Sequence, residues 1–348
     1  MAGFVIDLIL WYKENRRDLP WRKTKDVYRI WVSEIILQQT RVNQGLAYYH
    51  KFLDQFPSVH HLAAASEDAV LKCWEGLGYY SRARNMHHTA KYVSHELNGV
   101  FPKTYEGLLK LKGIGAYTAA AISSICYNEY RTVVDGNVFR VLTRIYGIKT
   151  PIDSAAGKKK IEDLAHTLNH GHDKGTFNQA IMEFGALHCK PKLPLCTTCI
   201  FKDACWAYVN KQVDLLPVKG KKIKMKHRYM FYLFLEDRNN KTIIQRRNNK
   251  DIWEGLYQFP LIETETNISV NKLLALHEFN MLSGNQECKI ISERRVKHQL
   301  THQILHLTIL NIQIDTIESV KALGYQIVPI SNLDDYAFPK PLGAAIGE

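Results

Sequence analysis

Four cysteines crowd into one short stretch of this chain, Cys189-x6-Cys196-x2-Cys199-x5-Cys205. Four thiolates within 17 residues, in a loop shaped by Pro191 and Pro194, can enclose one metal centre. The other three cysteines, Cys73, Cys126 and Cys288, stand alone. An odd total of seven with no export signal argues against a disulfide framework and for metal ligation by the group of four. Zinc is the usual occupant of a four-cysteine set. The compact single loop nevertheless differs from the paired knuckles of a zinc ribbon.

The chain has 348 residues, which suggests about two domains. No window approaches 18 consecutive apolar residues, so no membrane span is expected. Met1-Ala2-Gly3-Phe4 has neither a charged leader nor a cleavage site, so the protein should stay where it is made. The formal charge of +12 favours polyanionic partners.

Helical patterns run through the first half: 4–14, 27–39, 42–54, 66–74, 81–97, 104–111, 118–127, 137–145, 158–169 and 176–187. Little before residue 210 reads as strand. Around Pro217 the composition changes, and Lys219, Lys221, Lys222, Lys224, Lys226 and Arg228 make a basic linker over 214–228, either a solvated spacer or a DNA-phosphate contact. Strand-like runs follow at 229–235, 242–244 and 305–312, with one helix expected at 271–279. The domains are therefore 1–213, all helical, and 229–348, α+β.

The stretch Leu111-Lys112-Gly113-Ile114-Gly115-Ala116-Tyr117 reads as a helix end, a tight turn and a new helix start. Gly113 and Gly115 permit backbone angles that a side chain would forbid. The N–H groups at the new helix start suit a phosphate. An ordinary helix-loop-helix fits the stretch equally well. About twenty residues later comes Val134-Asp135-Gly136-Asn137-Val138, and after it the cysteine loop.

That ordered trio of hairpin, aspartate and cysteine loop resembles the endonuclease III, or helix-hairpin-helix, superfamily of DNA glycosylases. Within it, residues 31–40 (Trp-Val-Ser-Glu-Ile-Ile-Leu-Gln-Gln-Thr), Gly76-Leu77-Gly78-Tyr79-Tyr80-Ser81-Arg82 and Phe177-Asn178-Gln179-Ala180 are similar to the adenine DNA glycosylases of the MutY family. The likeness covers residues 4–342. It implies an all-helical helix-hairpin-helix glycosylase domain with an iron–sulfur loop, followed by a Nudix-like α+β domain. It further implies a [4Fe-4S] cluster on Cys189, Cys196, Cys199 and Cys205. The implied partner is double-stranded DNA with adenine opposite 8-oxoguanine or guanine, met by a cytoplasmic bacterial monomer.

The chemistry makes sense on its own terms. Cleaving a purine N-glycosidic bond requires protonating the base and stabilising a positive sugar, which two carboxylates can do. Glu34, on an apolar helix, should hold its proton near neutrality. Asp135 precedes a new helix and also suits an N-cap. The resemblance assigns base protonation to Glu34, sugar stabilisation to Asp135 through its charge or a transient bond, and orientation of these groups to Asn137. Strand-cutting relatives carry lysine where this chain has Tyr117, and a phenol cannot form a Schiff base. Base removal without efficient strand cutting is the expectation.

The target base must leave the stack. The resemblance puts Arg17, Leu19, Trp21 and Arg22 near it, with Gln179 and Glu183 as further candidates. It puts Gln39 and Tyr79 in the gap left behind. In the second domain, Trp253-Glu254-Gly255-Leu256-Tyr257-Gln258-Phe259-Pro260 and Leu300-Thr301-His302 are the family's landmarks. Leu300-Thr301-His302 stands where the family often has Phe-Ser-His: Thr301 keeps a hydroxyl and Leu300 loses an aromatic surface. No Nudix box is present, so pyrophosphate hydrolysis is not expected. His298, His302 and His306 recur every four residues, but their strand-like context reads as scattered surface or DNA-facing histidines rather than a helical metal site.

Overall fold

The computed structural model describes residues 2–220, 225–318 and 324–343. Lys221, Lys222 and Lys224 of the basic linker lie outside the described residues. The chain forms two compact units, Met1–Ala64 with Asn85–Lys221, and Ala65–Arg84 with Lys222–Glu348. Residues 65–84, counted with the helical domain on sequence, are thus grouped with the C-terminal unit. Ion pairs of Arg246 with Glu67 and Asp68, and the Arg84–Glu254 pair, tie them there.

The first unit is helical. Its described elements include α1 (Ala2–Asn15), α2 (Val27–Leu37), α3 (Val42–Gln55), α4 (Val59–Ala64), and α7 (Tyr105–Leu109), with α5 (Glu67–Cys73) and the first turn of α6 (Ser81–Glu96) belonging to the other unit. There follow α8 (Ala116–Tyr127), α9 (Gly136–Tyr146), α10 (Ala155–Leu168), α11 (Lys174–Leu187) and the short α12 (Trp206–Val209). Helix α8 is buried along most of its length, from Thr118 to Ile125. Helix α11 closes in on it at a glycine: a Cβ on Gly175 would meet the Ile125 Cα at 2.9 Å. A core of Leu8 and Trp11 from α1, Val141 and Leu142 from α9, and Phe177 and Phe184 from α11 fixes these helices. The expected helix through Gln39 stops at Leu37, because Gln38 is extended at ψ 117° and Gln39 then takes a left-handed φ of 58°.

In the second unit, β1 (Lys226–Glu236), β4 (Leu261–Thr264), β5 (Lys289–Gln299) and β6 (Gln303–Gln313) form a mixed sheet ordered β4-β1-β6-β5, with β1 and β6 parallel. A second sheet has β2 (Lys241–Arg246) between β3 (Tyr257–Gln258) and β7 (Gln326–Pro329). Strand β1 begins at Lys226, so the end of the expected linker is strand. Its alternation supplies two cores. Phe231, Leu233 and Leu235 pack with Leu273 and Phe279. Met230, Tyr232 and Phe234 pack with Phe259 and Phe338. The single helix expected at 271–279 is two, α13 (Val270–Leu274) and α14 (His277–Ser283), and α15 (Lys340–Gly343) closes the described chain.

Candidate active site

A cavity of about 790 Å³ in the helical unit gathers eleven of the sequence-derived candidates: Arg17, Leu19, Trp21, Arg22, Glu34, Gln39, Tyr117, Asp135, Asn137, Gln179 and Glu183. They come from five places in the chain, so their meeting is a product of the fold. Helix α2 is capped by Asp26, which accepts from the Arg29 N–H, and anchored by Trp31, Val32, Ile35 and Ile36. That anchoring turns Glu34 to the cavity. Burial pushes the Glu34 carboxyl up to about 7; a Tyr117 hydrogen bond and Arg22 oppose the rise, and Asp135 adds to it. Tyr117, in the first turn of α8, also lies 3.4 Å from the Met182 Sδ. Its own ionisation is driven well above the usual phenol value by burial and by the neighbouring carboxylates.

Asp135 is the N-cap of α9. Its Oδ1 accepts from the Asn137 and Val138 N–H groups, each at 2.8 Å, and its Oδ2 accepts from the Asn137 amide at 2.7 Å. Burial raises the Asp135 carboxyl, while these hydrogen bonds and the Arg140 charge hold the rise back. Asn137 is held in turn: Arg140 donates to its Oδ1 at 2.7 Å. The same guanidinium donates to the carbonyls of Gly185 and Cys189, each at 2.7 Å. One side chain therefore joins the start of the cysteine loop to the amide that orients Asp135. Sequence reading missed Arg140. Its trace was there, since Arg140 and Arg144 stand four apart on a helix whose other positions are largely apolar.

Glu183, also in the cavity lining, is almost wholly buried. Five N–H groups converge on its carboxylate: the Arg17 backbone, Arg17 Nε and Nη2, and both Arg22 Nη atoms. Burial alone would raise this carboxyl, but the Arg22 and Arg17 hydrogen bonds outweigh it and pull it down to about 2. A carboxylate offers about four lone-pair sites, so Glu183 has its capacity filled and acts by fixing both arginines. Leu19 and Trp21 form the apolar floor, Trp21 meeting Tyr49 edge-on at 5.1 Å.

Tyr79, Thr301 and His302 are not in this cavity. They line another, of about 770 Å³, within the C-terminal unit. There the Tyr79 and Thr301 hydroxyls are 2.7 Å apart. Trp253, at a left-handed φ of 60°, and His298 share the wall. His298 lies on β5 and His306 on β6, with His302 in the turn between them, and these three histidines form no metal-ion site.

Gly113 and Gly115 form the hairpin. Gly113 has φ of 81°, and a Cβ there would meet Asn85 at 2.6 Å. Gly115 needs no such conformation at φ −87°; it is the N-cap of α8, and a Cβ on it would meet open space. Cys189, Cys196, Cys199 and Cys205 line one small cavity with Arg144 and His188. Arg144 donates to the carbonyls of Lys190, Val213 and Leu216 and lies 3.5 Å from the Cys189 Sγ. The Phe201 N–H lies 3.4 Å from the Cys199 Sγ.

Residues 32–167 match the family described as HhH-GPD superfamily base excision DNA repair protein, and residues 231–347 match the NUDIX domain family. The chain is 32% identical to the adenine DNA glycosylase of Buchnera aphidicola subsp. Acyrthosiphon pisum over 338 residues, 95% of this chain and 93% of that protein. It is 40% identical to the adenine DNA glycosylase of Homo sapiens over 229 residues, 63% of this chain and 42% of that protein. Among solved structures, a thermostable thymine-DNA glycosylase superposes with a TM-score of 0.55 at 29% identity, covering 60% of this chain and 96% of that one. A non-covalent endonuclease III–DNA complex, at 18% identity and TM-score 0.53, covers 60% of this chain and 95% of that one and shares the helical fold.

Proposed function

The chain belongs to the adenine DNA glycosylases, base-excision-repair enzymes that act on DNA, and we propose that it hydrolyses the N-glycosidic bond of adenine mispaired with 8-oxoguanine or guanine without efficiently cutting the strand. The observation that carries this reading is the pairing of Glu34 and Asp135 in one cavity under opposite demands. Glu34, with a carboxyl at about 7, keeps a proton to give to the departing base. Asp135, gripped by three N–H donors, keeps its carboxylate fixed against the sugar as positive charge grows. Water then adds to the anomeric carbon and gives up a proton to the Glu34 carboxylate, which restores the acid. Tyr117 supplies no amine, so no imine links sugar to protein.

The cavity of the C-terminal unit supports a role in reading the base opposite adenine, with the Thr301 hydroxyl as donor or acceptor. The cysteine loop supports a [4Fe-4S] cluster held by Cys189, Cys196, Cys199 and Cys205. The donor set fits: four thiols share one cavity, and an arginine and a backbone N–H approach two of the sulfurs as they would approach thiolates. A bound cluster would supply a cross-link that fixes the loop. Iron and acid-labile sulfide in the purified protein would establish it, and their absence together with stoichiometric zinc would replace it.

The test of function uses duplexes with adenine opposite 8-oxoguanine, guanine or thymine, analysed with and without alkali. Alkali-dependent breaks opposite 8-oxoguanine and guanine are expected. Breaks without alkali would overturn the assignment of base removal alone. Glu34→Gln should bind the mispair and lose base release by about 10²–10⁴-fold.

A further inference from the structure

Tyr12 has no part in the chemistry described above. It lies on α1, is 2% exposed, and packs in the core of the helical unit. Its hydroxyl nevertheless reaches the edge of the catalytic cavity and donates to the Gln179 Oε1 at 2.9 Å. Gln179 lines that cavity. An amide has two faces of opposite character, an oxygen that accepts and an NH2 that donates. Whichever group Tyr12 takes, the cavity receives the other.

Arg16 decides which. It follows Tyr12 by four residues, and its guanidinium carbon stands 5.8 Å from the ring centre. A guanidinium cannot accept. The single phenolic proton must therefore find its acceptor elsewhere, and the Gln179 oxygen is that acceptor. Turning the amide over would set an NH2 against a phenol already flanked by two cations and strip the phenolic proton of its acceptor. Arg22, with its guanidinium carbon 5.6 Å from the same ring centre, holds the ring from the other cationic neighbour. Burial raises the phenol above its usual value, so it remains a donor through the neutral range.

We propose that Tyr12, held by Arg16, is a positioning residue that locks the Gln179 carboxamide with its NH2 facing the cavity, so that this wall takes a base edge that accepts. The wall beside it has the same polarity, because Arg17 and Arg22 bring only donors and the Glu183 oxygens are consumed by them. An unprotonated ring nitrogen, as on adenine, suits such a wall. A ring N–H there would meet another N–H. The proposal rests on the reading of this cavity as the base pocket.

The experiment measures adenine release by the full chain, at subsaturating substrate, from a duplex with adenine opposite 8-oxoguanine. The variants are Tyr12→Phe, Gln179→Leu, Gln179→Glu and the Tyr12→Phe, Gln179→Leu double variant, each first matched to the parent by melting temperature. Tyr12→Phe is expected to lose about fivefold, the worth of one neutral hydrogen bond. Gln179→Leu should lose at least as much, and the double variant no more than Gln179→Leu alone. Gln179→Glu should fail as Gln179→Leu does, since its carboxylate offers no NH2 to the base. Losses that multiply in the double variant would make Tyr12 merely structural and overturn the lock. Parent-level release by Gln179→Glu would show the oxygen facing the base and overturn it as well. Undiminished release by Gln179→Leu would instead remove Gln179 from the base pocket, and the pocket reading would fail ahead of the lock.

Discussion

The Tyr117 hydroxyl hydrogen-bonds Glu34 and lies 3.4 Å from the Met182 Sδ. One phenolic proton cannot serve both. When Glu34 is ionised, its carboxylate is the stronger acceptor. When Glu34 is protonated, the carboxyl can donate to the phenol oxygen and the phenolic proton can turn to the sulfur. The pair thus accommodates both protonation states of the acid with no unsatisfied proton.

A pH profile follows. On the proposed mechanism, base release requires Glu34 protonated and Asp135 ionised. With Glu34 at about 7, single-turnover release should fall tenfold per pH unit on the alkaline side. Asp135, raised above the ordinary carboxylate value, should set the acid limb. The Tyr117 hydrogen bond lowers Glu34, so Tyr117→Phe should move the alkaline limb to higher pH. For stability the sign is opposite to that of a salt-bridged carboxylate. The folded chain keeps the Glu34 proton between 4.5 and about 7 after the unfolded chain has released it, so this group makes the fold less stable as pH rises through that window. Denaturant titrations of the parent and Glu34→Gln across it check the slope.

Asp135 carries two separable duties. Asp135→Asn keeps an oxygen for the N-cap but loses the charge and the acceptor for the Asn137 amide, so base release should collapse with a smaller stability loss than Asp135→Ala. Asp135→Ala should lose release and also about 1 kcal/mol of stability with the cap. Equal stability losses in the two variants would show that the cap depends on charge.

Arg140 should matter more to the fold than its distance from the base suggests. Arg140→Met leaves the Cys189 and Gly185 carbonyls without their donor and frees Asn137. A loss of about 2–3 kcal/mol is expected from buried polar groups left unpaired. Chemical denaturation measures it, and base release should fall in the folded fraction as well.

Tyr117→Lys places an amine in the first turn of α8, beside Glu34. Borohydride should then trap a covalent protein–DNA complex that the parent does not form. No trapped complex would mean that the position alone does not bring an amine to the sugar.

Local spacing made much of this legible. The hairpin glycines, Asp135 before Gly136-Asn137, and Glu34 in an apolar helix are all written in stretches of ten residues or fewer. Where sequence reading fell short, the cause is long range. Tyr79 and Thr301 meet across 222 positions. Arg140 looks like an ordinary helix residue until the cysteine loop folds over it. Strand β5 was invisible because its side chains are mostly exposed, which erases the alternation that betrays a half-buried strand. The break between α13 and α14 at Ala275 and Leu276 carries neither glycine nor proline to announce it.

The cap at Asp135 has one more consequence. A glutamate there would carry the same charge on a longer arm and miss the first turn of α9. The carboxylate's place beside the cavity is therefore decided when that helix starts, long before any DNA arrives. On the proposed mechanism, reaching the native state and being aimed at the reacting sugar are a single event for this residue, and a chain that has begun α9 has already been armed.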